Sequence, residues 1–208
     1  MNQNWARAER HALCDLLAET GPDAPTLCEG WTTSDLAAHL VVRERHPTAA
    51  GGILIPALEQ RTEQFMEREK AGGYPKLVDR VRNGPPLGPF AVPGLRTLLN
   101  LQEYVVHHED VRRANGLGPR TDRPDLQDAL WGNLRRGARF LLRRVHGAKV
   151  RLQRPGGDSV ASGHGPEVVV TGEPVDLVLY LFGRDVAEVK ITGDDEAQKI
   201  LADAPRGI

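Results

Sequence analysis

Two segments of the sequence, residues 32–40 and 101–110, place ionisable side chains among apolar ones at helical spacing. Glu103 and His107 are four residues apart, so they lie one turn apart on the same face of a helix. Together with His39 they offer two imidazoles and one carboxylate. Three protein ligands are typical of an open, reactive metal site, whereas structural zinc sites are closed by four. The pattern therefore indicates a metal centre that leaves one position for a small molecule.

These candidate ligands also have simpler interpretations as ordinary helix residues. A histidine on an apolar face is more often a hydrogen-bonded core residue than a ligand, and a Glu-x-x-x-His pair also forms ion pairs on helix surfaces. His108 competes with His107, but adjacent residues point about 100° apart around a helix, so only His107 shares the face of Glu103. Asp110 either orients a ligating histidine or pairs with Arg113.

Polar residues interrupt what would otherwise be apolar helix faces. In the later segment one stripe holds Leu99, Gln102, Glu103, Val106, His107 and Asp110, and in the earlier one Leu36, His39, Leu40 and Arg43 share a face. A buried carboxylate without a partner is costly, and a bound cation would explain its presence. Cys28 precedes the His39 helix and is a fourth ligand by residue type alone.

Composition limits the classes of function. The 208 residues include 27 basic and 28 acidic side chains, and the net charge of −1 favours neither nucleic acid nor an anionic membrane as a partner. No apolar run approaches the roughly 20 residues that span a bilayer, and the first residues lack the apolar core of a secretion signal. We therefore expect a cytoplasmic protein. Cys14 and Cys28 form no CxxC motif, and we expect both to be free, buried thiols.

The sequence pattern predicts helices in the first part of the chain and a mixture of strands and helices in the last part. Periodicity and stop signals predict helices over residues 3–19, 33–46, 53–70, 93–115 and 125–145, with a Gly- and Pro-rich loop over 83–89. Thr32 with Asp35 forms an acidic capping box at the second helix. Beyond Gly147, strands are predicted at 149–153, 167–171 and 186–191, and helices at 175–183 and 194–203. The order predicts an α+β protein, with an all-α domain at 1–146 and a small α+β domain at 147–208.

Three blocks, residues 27–40, 103–116 and 168–184, resemble in the same order the signatures of the mycothiol-dependent maleylpyruvate isomerase family, within the DinB-like metal-binding superfamily. The sequence is most similar to an actinobacterial subfamily described only as metal-binding. The resemblance implies a DinB-like four-helix bundle with a divalent metal held by His39, Glu103 and His107. Zinc is the usual metal of the family, while nickel, iron and cobalt also suit this ligand set.

The resemblance also implies mycothiol as a co-substrate. Arg184 matches a Gly-Arg position where an arginine either binds a carboxylate of thiol or substrate or forms a structural salt bridge. The expected function is thiol transfer or isomerisation at the metal, between a low-molecular-weight thiol and a small electrophile, with no catalytic side chain beyond the ligands. One alternative function is metal-assisted hydrolysis, and another is a non-catalytic role as a regulatory or scaffold protein. We expect a monomer or a homodimer. The segments at Gly51 and Gly52 and at residues 83–90 match no loop of a protein whose substrate is known, so the resemblance does not identify the substrate.

Overall fold

The protein divides into two compact units, Met1–Pro119 and Arg120–Ile208. The computed structural model describes residues 4–46, 59–85, 95–120 and 122–207. Within these ranges the first unit is helical, and the second combines helices with a four-stranded sheet. The α+β fold class predicted from the sequence is confirmed.

Helices account for most of the described part of the first unit. They are α1 (Trp5–Thr20), α2 (Thr33–Arg45), α3 (Glu59–Lys70), α4 (Tyr74–Asn83) and α5 (Leu95–Ala114). Helix α4 was not predicted, although Pro75 in its first turn and the buried Leu77 and Val81, four residues apart, are helix signals. The predicted starts of two helices at 53–58 and 93–94, the glycines at 51 and 52, and most of the predicted loop lie outside the described residues.

Helix α2 begins with the predicted capping box. The Thr32 side chain accepts a hydrogen bond from the backbone of Asp35, and the Asp35 carboxylate accepts one from the backbone of Thr32. The other Asp35 oxygen lies 2.7 Å from Nζ of Lys70, at the end of α3. Burial by itself would raise the pKa of Asp35, but the hydrogen bonds from Lys70 and Thr32 lower it. The cap thus fixes where α2 begins and ties it to α3.

A buried ion pair with a tyrosine joins three helices of the first unit. Arg10 of α1 places a guanidinium nitrogen 2.6 Å from Glu44 of α2, and its Nε donates to the Tyr104 hydroxyl of α5 at 2.7 Å. Tyr104 also donates to Glu44, and all three residues are buried. Helix α1 packs along α5 and α4, and α2 packs against α3 and α4. The network therefore sets how α2 and α5 face each other.

Gly84 follows α4 and lies directly against this network. Its φ of +64° is in the left-handed region, and a Cβ there would overlap the Arg10 guanidinium. Gly116 has a similar φ of +76° with no other atom within 4 Å of a built Cβ. Both glycines thus have a positive φ, and they differ in the space around them.

We expect Gly84→Ala to destabilise the protein more than Gly116→Ala. Both variants place a side chain at positive φ, which costs about 1–3 kcal/mol, and overlap with a buried, ion-paired side chain adds about 1–3 kcal/mol at Gly84. Urea unfolding measures the difference in the free energy of unfolding, provided that the m-value is the same in both variants. Equal free energies of unfolding for the two variants would show that Arg10 can move at no cost.

The second unit is built on a mixed sheet with strand order β2-β1-β3-β4. Its strands are β1 (Lys149–Gln153), β2 (Ser159–Gly163), β3 (Glu167–Thr171) and β4 (Lys190–Gly193), and its helices are α6 (Pro124–Leu141), α7 (Pro174–Leu181) and α8 (Asp195–Asp203). The central strands β1 and β3 are parallel, with Val150 beside Val168 and Leu152 beside Val170. These four side chains are buried, and α8 packs against this part of the sheet.

Helix α6 lies in the unit with the sheet, although the sequence analysis grouped it with the bundle and set the boundary at residue 146. It packs against α7 and β2. Its buried Gln127 accepts a hydrogen bond from the backbone of Val175, at the start of α7, and donates to the carbonyl of Arg120. An apolar helical stripe indicates that a helix is buried on one side but not which element covers it.

Several predicted bounds in the second unit differ from those observed. Helix α6 ends at Leu141 rather than 145, and the strand predicted at 186–191 is observed at Lys190–Gly193. Strand β2 was not predicted, because only one of its five residues, Val160, is a large apolar residue and its side chains are at most half-buried. The helix predicted at 194–203 is confirmed, with Asp194 as its N-cap. None of the described helices is both long enough and apolar enough to cross a membrane.

Candidate metal centre

Helices α2 and α5 bring His39, Glu103 and His107 together. Oε1 of Glu103 lies 3.2 Å from Nε2 of His107 and 3.5 Å from Nε2 of His39. The ligand-type atoms of the three residues all lie within 4.8 Å of one another. The two imidazole rings meet edge to face, with centroids 5.3 Å apart. One carboxylate oxygen and two ring nitrogens thus converge from two helices.

The cluster is largely withdrawn from solvent. His39 is 6% exposed, His107 is 7% exposed and the Glu103 side chain is 13% exposed. The ring of Trp31, just before the cap of α2, lies over His39 with centroids 5.0 Å apart. Sequence reasoning gave Trp31 no role, because its position follows from a loop conformation rather than from periodicity.

The other ring nitrogen of His107 is held by Asp110. The Nδ1 atom of His107 lies 3.0 Å from Oδ2 of the fully buried Asp110. Of the two interpretations left open for this residue, the contact with His107 is present, while Arg113 donates to Glu109 at 2.8 Å. The carboxylate fixes the ring plane and turns Nε2 toward Glu103.

Cys28 lies beside Asp110 rather than in the first cluster. Its Sγ is 3.3 Å from Oδ2 of Asp110, and with His107 and Asp110 it forms a second group of ligand-type atoms within 4.8 Å. The expectation of two buried thiols is only half right, since Cys14 is buried and Cys28 is partly exposed. Burial raises the pKa of Cys14 to about 12. Neither cysteine forms a disulfide.

His108 occupies a different face of α5, as the helical geometry predicts. Its Nδ1 lies 3.1 Å from Oε2 of Glu9 on α1, and both side chains are buried. The neighbouring histidines therefore take part in separate contacts. His107 faces the cluster with Glu103, and His108 belongs to the packing of α1 against α5.

Arg43 adds a positive charge at the edge of the cluster. Its Nε lies 3.2 Å from Oε1 of Glu103, and a terminal nitrogen donates to Oδ1 of Asn100 at 3.2 Å. Arg43 is one turn beyond His39 on α2, and Asn100 is one turn before Glu103 on α5. Periodicity alone places Arg43 on the face of His39, whereas its partners depend on how the two helices pack.

The charges of these groups follow from competing effects. Burial would raise the pKa of Glu103, but the Arg43 charge and hydrogen bonds from His107 and His39 hold it well below its usual range. Burial also lowers the pKa of His39, and its hydrogen bond to the Glu103 carboxylate offsets only part of this effect. For His107, hydrogen bonds with Asp110, Cys28 and Glu103 outweigh burial and raise the pKa well above its usual value. The structure thus contains an ionised Glu103 between two unequal imidazoles.

The helical part of the chain matches a known domain family. Residues 5–89 match the family model described as "Mycothiol maleylpyruvate isomerase N-terminal domain". Residues 5–89, less than half of the chain, are therefore similar to this domain family. The matched residues include α1, α2, His39 and Arg43. Glu103 and His107 lie beyond them.

The whole chain resembles solved structures of similar fold. A crystal structure of the mycothiol-dependent maleylpyruvate isomerase shares 18% identity over 91% of both chains, with a TM-score of 0.51. A histidine-to-alanine mutant of that enzyme has the same identity and coverage, with a TM-score of 0.53. At this identity the likeness describes the fold. None of the curated proteins matches the chain.

The residues of the cluster fit a divalent cation. The donor set is of the right type, because imidazole nitrogen and carboxylate oxygen suit zinc and related metals. Asp110 already holds the far nitrogen of His107, an arrangement common around metal-bound histidines. Arg184, the expected thiol contact, lies in the second unit after α7, where it donates to the carbonyl of Phe182.

In chelator-treated protein, we expect the pKa values of the two cluster histidines to be shifted in opposite directions from that of a free histidine. The pKa of His39 should be lower because the ring is buried, and the pKa of His107 should be higher because its hydrogen bonds with Asp110, Cys28 and Glu103 outweigh burial. Its charged form then contributes stability below the unfolded pKa of about 6.5, and this contribution is lost as pH rises through the folded pKa. Long-range ¹⁵N–¹H NMR spectra recorded over a range of pH measure the pKa values of both histidines. The variants His39→Gln and His107→Gln identify which signal belongs to which ring. Two ordinary pKa values would contradict the assigned hydrogen bonds.

Proposed function

We propose that this protein is a metal-dependent thiol transferase or isomerase, with His39, Glu103 and His107 as ligands of a divalent cation, zinc first among the candidates. The observation that carries the proposal is the convergence of two Nε2 atoms on one carboxylate oxygen in a buried cluster. The match of residues 5–89 to a family model named for mycothiol supports a low-molecular-weight thiol as co-substrate. Mycothiol itself is the thiol we propose.

The proposed reaction is the attack of a thiolate on an electrophilic carbon. A divalent cation held by these residues would supply the acidity that converts a bound thiol into its reactive thiolate near neutral pH. The thiolate sulfur forms a bond to one carbon of an activated double bond, and the π electron pair moves onto the rest of the substrate to give a carbanion. In a conjugation this carbanion takes up the proton that the thiol released. In an isomerisation the unprotonated adduct rotates about the new single bond, its electron pair re-forms the double bond, and the thiolate leaves and takes back its proton. No side chain of the protein serves as nucleophile.

The chain's own residues position and enclose the reacting groups. Asp110 holds the His107 ring in one orientation, so that Nε2 stays directed at the cluster. Trp31 covers His39, and the low exposure of the cluster excludes bulk water, which strengthens electrostatic interactions there. Cys28 contacts Asp110 and is not one of the three proposed ligands.

His107→Ala should abolish stoichiometric metal binding and retain the helical circular dichroism of the bundle. Loss of one of three ligands removes most of the affinity of an open site, while α5 keeps its apolar contacts. Elemental analysis of protein purified without a histidine tag measures the metal, with exposed His146→Ala as the matched control. Asp110→Asn should lower metal affinity by about 10–100-fold. Full metal content in His107→Ala would refute the ligand assignment.

Thiol consumption by the metal-loaded protein tests the activity. We expect mycothiol to disappear, or to be recovered with an isomerised product, in the presence of small electrophilic acids and ketones, and the rate to fall to background in His107→Ala. Product analysis by mass spectrometry distinguishes conjugation from isomerisation. Turnover that needs no thiol would instead indicate metal-assisted hydrolysis.

A further inference from the structure

The imidazole of His107 lies between two groups of ligand-type side chains. Its Nε2 lies 3.2 Å from Glu103 in the proposed metal centre, and its Nδ1 lies 3.0 Å from Asp110 on the other side of the ring. With Asp110 and His107, Cys28 completes a second group whose ligand-type atoms all lie within 4.8 Å of one another. One imidazole thus belongs to two sets of metal-ligand atoms, and only the second set contains sulfur.

The spacing of the second group suits a metal ion about as well as that of the first. Bonds of about 2.0–2.3 Å from zinc to nitrogen, oxygen or sulfur place neighbouring tetrahedral ligands about 3.3–3.8 Å apart. Sγ of Cys28 lies 3.3 Å from Oδ2 of Asp110, and Nδ1 of His107 lies 3.0 Å from the same oxygen. These two contacts therefore need to lengthen by only a few tenths of an ångström for the atoms to surround a cation.

Backbone contacts fasten the segment that carries Cys28 to α5. The backbone N–H of Leu27 donates to the carbonyl of Asp110 at 3.1 Å, and Nδ2 of Asn115 donates to the carbonyl of Pro25 at 3.0 Å. Neither hydrogen bond involves the thiol. The sulfur is therefore kept beside the Asp110 carboxylate by contacts that remain when the thiol exchanges its proton for a metal ion.

The single proton of a neutral imidazole makes the two positions alternatives. A neutral ring has one N–H and one unprotonated nitrogen, and only the unprotonated nitrogen can bind a cation. When Nε2 of His107 binds a cation, Nδ1 donates its N–H to Asp110. When Nδ1 binds instead, Nε2 donates its N–H to Glu103. Both carboxylates lie within hydrogen-bond distance of the ring, so each arrangement has its acceptor in place.

We propose that Cys28, His107 and Asp110 form a second metal position, which takes thiophilic divalent cations and competes with the first position for His107. The competition rests on the proposed function, whereas the second position stands on its own ligand atoms. A thiolate ligand favours softer metals than imidazole and carboxylate do. On binding, the thiol releases its proton to solvent and the sulfur bonds to the cation. His39 and Glu103 then lack their third ligand, so a thiophilic cation inhibits the proposed activity.

Cadmium titration of chelator-treated protein tests the second position. A sulfur ligand gives bound Cd²⁺ an ultraviolet charge-transfer absorption that nitrogen and oxygen ligands do not give. We expect this absorption to saturate at a single ion per chain in the wild type and to be lost in Cys28→Ser. It should persist in His39→Ala, which removes a ligand of the first group only. Cys14→Ala removes the only other thiol of the chain and should keep the absorption.

The outcomes separate this inference from the proposed metal centre. Full absorption in Cys28→Ser, or none in the wild type, would overturn the second position and leave the first unaffected. Saturation at two ions per chain would show that the ring bridges two cations, which would overturn the competition. Zinc bound stoichiometrically by a variant with both His39→Ala and Cys28→Ser would instead contradict the first ligand set.

A measurement without a substitution at Cys28 guards against misfolding of the serine variant. In Cys14→Ala the thiol of Cys28 is the only one left in the chain. The ¹¹³Cd NMR signal of this variant should therefore lie at the low-field position typical of a cadmium ion with a sulfur ligand. A signal typical of nitrogen and oxygen ligands alone would overturn the second position.

Discussion

The convergence of three nitrogen donors on one buried carboxylate oxygen is the interaction on which the rest of the site depends. Oε1 of Glu103 lies within 3.5 Å of Nε2 of both cluster histidines and of Nε of Arg43. A carboxylate that is so nearly enclosed remains ionised only because these donors surround it. The same enclosure makes it a suitable metal ligand. The charge of Glu103 therefore organises both the electrostatics and the proposed chemistry.

The scaffold of the first unit supports this arrangement through a second buried network. Glu44 follows Arg43 on α2, and Tyr104 follows Glu103 on α5. Arg10 of α1 binds both of them, so the two helices are held together immediately beside the cluster. Because breaking a buried pair leaves an uncompensated charge, the helices have little freedom to slide. A fixed spacing between α2 and α5 is what an open metal site requires, since ligand atoms must remain within a few tenths of an ångström.

Local rules accounted for much of the fold. Capping chemistry placed the start of α2 at Thr32, because the side chains of a capping box act within one turn. Helical spacing chose His107 over His108 as the neighbour of Glu103, and the structure places His108 against Glu9 instead. Helix α4 and strand β2 were missed, since short elements carry few periodic positions. The sequence analysis also grouped α6 with the wrong unit, because an apolar stripe does not indicate which element packs against it.

The sequence by itself determined which residues share a face, and hence that Glu103 and His107 form a pair on one helix. It also determined the order of the longer helices and of three of the four strands, since these follow from periodicity, caps and turns within short stretches of chain. Only the tertiary structure decided that Arg43 and Asn100 meet at the edge of the cluster, that Asp110 contacts His107, and that Cys28 lies beside Asp110. These contacts join residues from different elements or depend on the rotamers that packing allows. Side chains brought together by helix packing leave no periodic signal in the chain, so physical proximity alone reveals them.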